Sequence, residues 1–304
     1  MSWFVEAAVP QDTLSRRFRE RITDGPIWVL PGVYDGLSGL LARQAGFHGL
    51  YLSGAAYAAS RGLPDLGLMH STEVSGRAAE IVNAAQTPLL VDIDTGYGGV
   101  LNVARAGREM VQAGVAAVQI EDQHLPKKCG HLNGKRLIAA DEMVEKIRVL
   151  RETAPTLAVV ARTDARGVEG LDAAWDRANR YAAAGADAIF VEALESAEEF
   201  RDTARHVSAP LLANMTEFGR TPYLTVSEFA RLGYRLVIFP VSALRVAAHA
   251  METFYQALQA EGTQRSWLER MQTRKDLYSV LHYDDYEALD QKIAGSVLPS
   301  TPEG

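Results

Sequence analysis

Apolar residues along this chain gather in short unbroken runs instead of alternating with polar ones. The runs cover residues 27–33, 49–53, 88–93, 117–120, 157–161, 188–191, 210–213 and 236–240, each bounded by Gly, Pro or charged residues. A strand with one wet face alternates, whereas a strand covered on both faces is apolar throughout, so these runs predict parallel strands. Between most of them lie segments with apolar residues three and four apart, over 73–85, 100–113, 140–152, 171–184, 196–207 and 226–232, which is the helical period. Eight strands alternating with helices predict an α/β fold, a (β/α)8 TIM-type barrel, which commonly forms one domain of about 250 residues.

The flanks add an N-terminal helix and a C-terminal helical extension. Residues 11–22 place Phe18 and Ile22 on one side and arginines on the other, as a helix packed across the barrel bottom would. From 263 to about 293 an amphipathic stretch carries Trp267, Met271, Leu277, Tyr278, Leu281, Tyr283 and Tyr286. Residues 1–262 therefore read as the barrel with its N-terminal helix, and 263–304 as the extension. So aromatic a surface needs a partner, and a neighbouring subunit of a homo-oligomer, a dimer or tetramer, is the expectation.

Polar residues cluster at the ends of the apolar runs: Tyr51 and Ser53, Asp92 and Asp94, Glu121, Arg162 and Asp164, Glu192, Asn214 and Thr216, and Ser242. In a barrel all of these open onto the C-terminal face, where active sites of this fold are built. Each alone reads equally well as a helix cap or a turn residue. Asp92 and Asp94 stand two apart at the mouth of a glycine-rich loop, and with Glu121 they offer hard oxygen ligands of the kind Mg²⁺ takes. The loop has neither a Walker lysine nor dinucleotide spacing.

Composition narrows the partners. With 38 acidic and 31 basic side chains the net charge is −7 and the cations are dispersed, which argues against nucleic acid and anionic membranes. No apolar stretch approaches the roughly 20 residues that span a bilayer, no signal-like h-region is present, and one cysteine forms no intrachain disulfide, so a cytoplasmic protein with a small-molecule substrate is expected. That cysteine, Cys129, stands in Lys127-Lys128-Cys129-Gly130-His131. A lone cysteine is usually a small buried hydrophobe. Here the flanking cations predict a reactive thiol on a polar loop, with its pKa lowered from about 8.5.

Several motifs carry a resemblance: Tyr51-Leu52-Ser53-Gly54, Gly62-Leu63-Pro64-Asp65-Leu66-Gly67, Val91-Asp92-Ile93-Asp94, Ile120-Glu121-Asp122-Gln123, the Lys127 to His131 loop, Ala161-Arg162-Thr163-Asp164-Ala165, Glu169-Gly170-Leu171-Asp172-Ala173-Ala174, Asn214-Met215-Thr216-Glu217-Phe218-Gly219 and Met271-Gln272-Thr273-Arg274. Over nearly its whole length the chain resembles the isocitrate lyase and phosphoenolpyruvate mutase superfamily, closest to its 2-methylisocitrate lyase branch. The cysteine loop is the specific element, since the lyases carry it and the mutase and decarboxylase branches lack its cysteine.

The resemblance implies Mg²⁺-dependent, or Mn²⁺-dependent, cleavage of a 2-hydroxy tricarboxylate, 2-methylisocitrate, to pyruvate and succinate, as in propionate catabolism through the methylcitrate cycle. It implies Asp92 as direct metal ligand, Asp94 completing the site, and Asp65 and Glu121 holding metal waters. Cys129 would protonate the succinate carbanion, with Lys127 and His131 tuning it and Tyr51 beside the substrate hydroxyl. Ser53, Gly54, Ala55 and Arg162 would hold the pyruvate carboxylate, and Gly130, Glu192, Asn214, Thr216, Arg245 and Arg274 the succinate half. Phe190 and Ile238 match positions near the C2 substituent, where an apolar gap admits a methyl group; selectivity of about 10- to 200-fold is the scale for such a difference. Two departures from several lyases are Gln119 in place of histidine and Ala55 in place of a third glycine. Residues 125–135 are expected to form a lid. Isocitrate lyase, an oxaloacetate decarboxylase-like member and a non-catalytic ligand-binding member are the alternatives.

Overall fold

A computed structural model describes residues 5 and 7–297. Among them, helix α1 (Gln11–Thr23) leads into β1 (Trp28–Val33), α2 (Gly36–Gln44), β2 (Leu50–Leu52), α3 (Gly54–Ser60), α4 (Ser71–Ala85), β3 (Leu89–Asp92) and α5 (Val100–Gln112). There follow β4 (Ala117–Glu121), α6 (Ala140–Thr153), β5 (Ala158–Thr163), α7 (Leu171–Ala183), β6 (Ala188–Val191), α8 (Ala197–His206), β7 (Leu211–Asn214), α9 (Val226–Arg231) and β8 (Leu236–Phe239). Beyond these lie α10 (Ser242–Glu261), α11 (Arg274–Val280) and α12 (Tyr283–Val297). The eight strands run parallel in chain order, and β8 pairs with β1 from Trp28 opposite Leu236 to Pro31 opposite Phe239, which closes a (β/α)8 barrel.

Every residue of β3, β4, β5 and β6 is buried, which is why these strands read as continuous apolar runs. The helices that cover them bury one stripe each, as α5 does with Val103, Ala106, Gly107 and Met110. Side-chain caps set several starts: Asp35 accepts from the Ser38 N–H ahead of α2, and Thr225 and Glu228 form a reciprocal box at α9. Helix α2 buries only Gly39; its Leu37, Leu40 and Leu41 are too short a pattern to have predicted it. As expected, α1 sits at the barrel bottom: Leu14, Phe18 and Ile22 are buried, Gln11 donates to the Val115 carbonyl, and Ser15 bonds to that of Thr156.

The helix after β8 departs from the covering pattern. None of the twenty residues of α10 is buried, and Val246, Met251, Tyr255 and Leu258 are exposed on it. The C-terminal region is helical, with α11 resting against α2. The end of the extension, 298–304, lies outside the described residues. No described helix is long and apolar enough to cross a membrane.

Candidate active site

The C-terminal ends of the strands converge on a cavity of about 100 Å³. Tyr51 comes from β2, Asp92 from β3, Arg162 from β5, Phe190 and Glu192 from the end of β6, Asn214 and Thr216 from β7, and Ile238 from β8. Ser53, Ala55, Asp65 and Arg245 complete the wall, and the loop between β4 and α6 closes it with Lys127, Lys128, Cys129, Gly130 and His131. Small-molecule pockets usually span about 300 to 1,000 Å³, so the loop is shut down over this one. Gly130 is what lets it shut, because a Cβ there would fall 2.4 Å from Arg162 Nη2 and from Glu192 Cγ.

Acid outnumbers base around this cavity. Six carboxylates, of Asp65, Asp92, Asp94, Glu121, Asp164 and Glu192, meet five cations, Lys127, Lys135 and Arg162 within the cluster and Lys128 and Arg245 on the wall. Lys127 Nζ stands 2.5 Å from Asp65 Oδ1 and 2.6 Å from Asp94 Oδ1. Burial pushes the Asp94 carboxyl up, Lys127 opposes this, and the result is about 6. Asp94 also takes the left-handed conformation at φ 50°, and its N–H donates to Asp92 Oδ1 at 3.0 Å. Glu121 lies behind the wall with no hydrogen-bond donor on either oxygen and Arg162 Nη1 at 3.4 Å; burial raises its pKa well above the carboxylate range.

Arg162 grips Asp164 by two bonds, Nε to Oδ2 at 2.9 Å and Nη2 to Oδ1 at 3.1 Å, which leaves Nη1 toward Glu121 and Glu192 at 3.4 Å each. Although burial alone would raise it, Glu192 is held down at about 2 by Arg162 and His131, so it stays a carboxylate. The Arg220 N–H donates to His131 Nδ1 at 3.1 Å, which assigns the proton to Nε2, 3.1 Å from Glu192 Oε1. The phenol of Tyr51 donates to Gln119 Oε1 at 2.7 Å, and Gln119 Nε2 donates to Asp92 Oδ1 at 3.2 Å. Burial first, and then Asp92, lift the Tyr51 pKa far above 10, so it remains a phenol.

The thiol corrects an expectation. Cys129 is half-buried on the cavity wall, and its pKa is raised rather than lowered: burial dominates and outweighs the help of the His131 N–H, while Glu192 and Asp65 push the same way as burial and Arg162 against it. The side-chain cations beside it in sequence do not lower it, because Lys127 is spent on Asp65 and Asp94 and the His131 ring lies against Glu192; only the main-chain N–H of His131 acts on the thiol.

Sixteen of the twenty residues singled out from the sequence line the cavity. Gly54, Asp94 and Glu121 sit just behind the wall, with the Gly54 N–H 3.3 Å from Asp92 Oδ2. Arg274 is not brought in: the box between Thr273 and Asp276 starts α11 there, leaving Arg274 exposed on a helix that packs against α2. Ser53 also caps α3, accepting from the Ala56 N–H at 3.4 Å. Two residues that sequence reasoning missed hold the site from behind. Lys135 joins the Gly130 carbonyl to Asp164 Oδ1, and Asp122 accepts from the Asp164 N–H at 2.9 Å and from Thr163 and Tyr181. Asp122 was visible in the motif beside Glu121, but nothing local marks it as a support.

The donor set suits a divalent cation. Asp94 Oδ1 has only the Lys127 ion pair, and both Glu121 oxygens lack hydrogen-bond donors. Among the described residues no three His, Cys, Asp or Glu side chains form a ready-made cage. Mg²⁺ does not require one, since it binds through one or two carboxylates and keeps several waters.

Residues 18–259 match the family described as phosphoenolpyruvate phosphomutase. The chain belongs to the phosphoenolpyruvate mutase and isocitrate lyase superfamily. It is 58% identical over 298 residues to the 2-methylisocitrate lyase of Halalkalibacterium halodurans, covering 98% of this chain and 99% of that one. Among solved structures, 2,3-dimethylmalate lyase of the same superfamily aligns at a TM-score of 0.88 with 36% identity, covering 98% of this chain and all of that one. Phosphonopyruvate hydrolase, solved with oxalate and Mg²⁺, aligns at 0.83 with 25% identity over 93% of this chain and 99% of its own.

Proposed function

We propose that this protein is a carbon–carbon lyase that cleaves 2-methylisocitrate to pyruvate and succinate. The observation that carries the reading is that the single thiol and the acidic cluster line one cavity, Cys129 on the closing loop and Asp92 and Asp65 on the barrel side. The similarity to a 2-methylisocitrate lyase along almost the entire chain supports the same substrate.

Cleavage asks four things of these residues. The substrate hydroxyl must pass its proton to a carboxylate of the acidic cluster on the cavity wall, and the Tyr51 oxygen, whose own proton is committed to Gln119, orients that hydroxyl by accepting a hydrogen bond from it. The pyruvate carboxylate needs donors, supplied by Ser53, the N–H groups at the start of α3 and the free edge of Arg162. The succinate carboxylates need Asn214, Thr216 and Arg245, which line the opposite side. The departing carbanion then needs a proton on carbon, and a thiol of raised pKa is in its acid form at neutral pH, ready to donate.

Asp92 and Asp94, with Asp65 and Glu121 through waters, would hold Mg²⁺ or Mn²⁺, which when bound offsets the negative charge that develops as the hydroxyl is deprotonated. Phosphonopyruvate hydrolase with oxalate and Mg²⁺ supports a divalent ion in this fold. Phe190 and Ile238, each about 1% exposed, give the cavity its apolar wall and favour a substrate with a C2 methyl group.

Helix α10 supports a homo-oligomer, because a twenty-residue helix with no buried residue and exposed Val246 and Tyr255 is a surface suited to a second copy. Sedimentation equilibrium should then give a dimer or larger, and a monomer at micromolar concentration removes the proposal. One cysteine and an acidic composition suit a cytoplasmic enzyme. The central test is pyruvate release from 2-methylisocitrate with and without EDTA. Activity is expected, lost with chelator and restored by Mg²⁺; no release from 2-methylisocitrate, or release indifferent to EDTA, defeats the corresponding part of the proposal.

A further inference from the structure

We propose that Arg220 is a positioning residue for this reaction, the latch that holds the tip of the Cys129 loop shut. The inference rests on reading the cavity as the lyase site, and adds a residue from a different segment, between β7 and α9. The loop is fastened inside by Lys127 to Asp65 and Asp94, and at its root by Lys135 to Asp164. Residues 131–133, just past the thiol, have neither fastening.

Arg220 supplies it. Its N–H donates to His131 Nδ1 at 3.1 Å, its Nε donates to the His131 carbonyl at 3.2 Å, and its guanidinium donates to Asn133 Oδ1. The same guanidinium reaches Glu195 Oε1 at 3.3 Å. Glu195 is held in turn by Arg166 at 2.6 Å, and Arg166 is anchored on Glu199 of α8 by bonds of 2.6 and 3.1 Å. The loop tip is thus tied to the rigid ring of helices through one side chain. It also rests closely on the preceding residue, since a Cβ on Gly219 would lie 2.7 Å from His131 Nδ1.

Two consequences follow from the geometry. By bonding Nδ1, the Arg220 N–H leaves the His131 ring proton on Nε2, which lies 3.1 Å from Glu192 Oε1, so the loop tip rests between the latch and that carboxylate. Because Arg220 and Glu195 are partly exposed, the tie weakens as salt screens it.

Arg220→Ala keeps the backbone bond and removes the fork, and Gly219→Ala pushes the tip away by an independent route. In the ligand-free protein both variants should speed amide exchange of residues 125–135 while leaving exchange of the barrel strands unchanged. In Arg220→Ala, KM for 2-methylisocitrate and the inhibition constant of succinate should rise about 3- to 10-fold with kcat within about 3-fold, and Arg220→Lys should recover part of the loss. Unchanged loop exchange in Arg220→Ala, or faster exchange with unchanged KM, overturns the latch. If the unaltered protein fails to turn over 2-methylisocitrate the substrate reading fails instead, and the exchange rates of the free proteins still decide the latch.

Discussion

The two ends of the barrel are built on opposite principles. At the bottom, Leu14, Phe18 and Ile22 of α1 are buried, with the Phe18 and Trp28 rings 5.5 Å apart, and the charges there, Arg19 and Arg151 paired with Asp187, stay partly exposed to solvent. At the top, carboxylates and cations are buried together, and one of them, Glu121, has no hydrogen-bond donor at all. Apolar burial stabilises wherever it occurs, whereas a buried charge costs free energy unless it is fully paired. The bottom therefore serves stability, and the top keeps an arrangement that only a ligand completes.

The largest expected effect at the top is on chemistry alone. Cys129→Ser should lower turnover of 2-methylisocitrate by about 10²- to 10⁴-fold, the usual worth of a general acid, with Tm nearly unchanged. Steady-state kinetics beside calorimetry checks this, and near-normal turnover would remove the thiol from the mechanism. The matching change at the bottom is Phe18→Ala, expected to cost about 3 to 5 kcal/mol of stability with KM unaltered below the new melting point. Denaturant unfolding reads it; a loss under about 1 kcal/mol would mean that α1 does not plug the barrel.

Glu121→Gln sharpens the contrast because it should move the two properties in opposite directions. The raised pKa means that burial disfavours the Glu121 carboxylate at neutral pH, so neutralising it should stabilise the metal-free protein. A gain on the order of 1 kcal/mol, or about 2 to 4 °C in Tm, is expected while turnover falls. A lower Tm in EDTA would show that Arg162 needs this partner more than burial opposes it. The smallest effect is in pH dependence. Because the acid form of Cys129 is the active one and its pKa is raised, activity should persist as pH climbs past the ordinary thiol range near 8.5 and fall only above it. An alkaline limb below about 8 that vanishes in a slower Cys129→Ser variant would contradict the raised pKa.

Much of this was legible in the chain. Unbroken apolar runs at 88–93 and 117–120 became β3 and β4 because full burial leaves no reason to alternate, and the polar residues just past such runs fell on one rim because parallel strands all point one way. The cysteine loop stood out by its residues, and it lines the cavity. Helix α2 was not singled out, since its Leu37, Leu40 and Leu41 make only a short three-residue pattern, and the structure leaves Leu37 and Leu41 exposed.

Sequence by itself thus determined the barrel and the rim on which polar side chains gather, because period and polarity are local properties of a chain. Tertiary structure alone decided what each charge faces. Lys127 and His131 stand beside Cys129 in sequence yet spend themselves on Asp65, Asp94 and Glu192, so the thiol is governed by burial. Arg274 carries a matching motif and still lies exposed on α11 outside the cavity lining, while Arg220 crosses 89 residues of separation to reach His131. Electrostatic environment depends on distance in space, and closing eight strands into a ring brings together side chains whose positions along the chain give no sign of it.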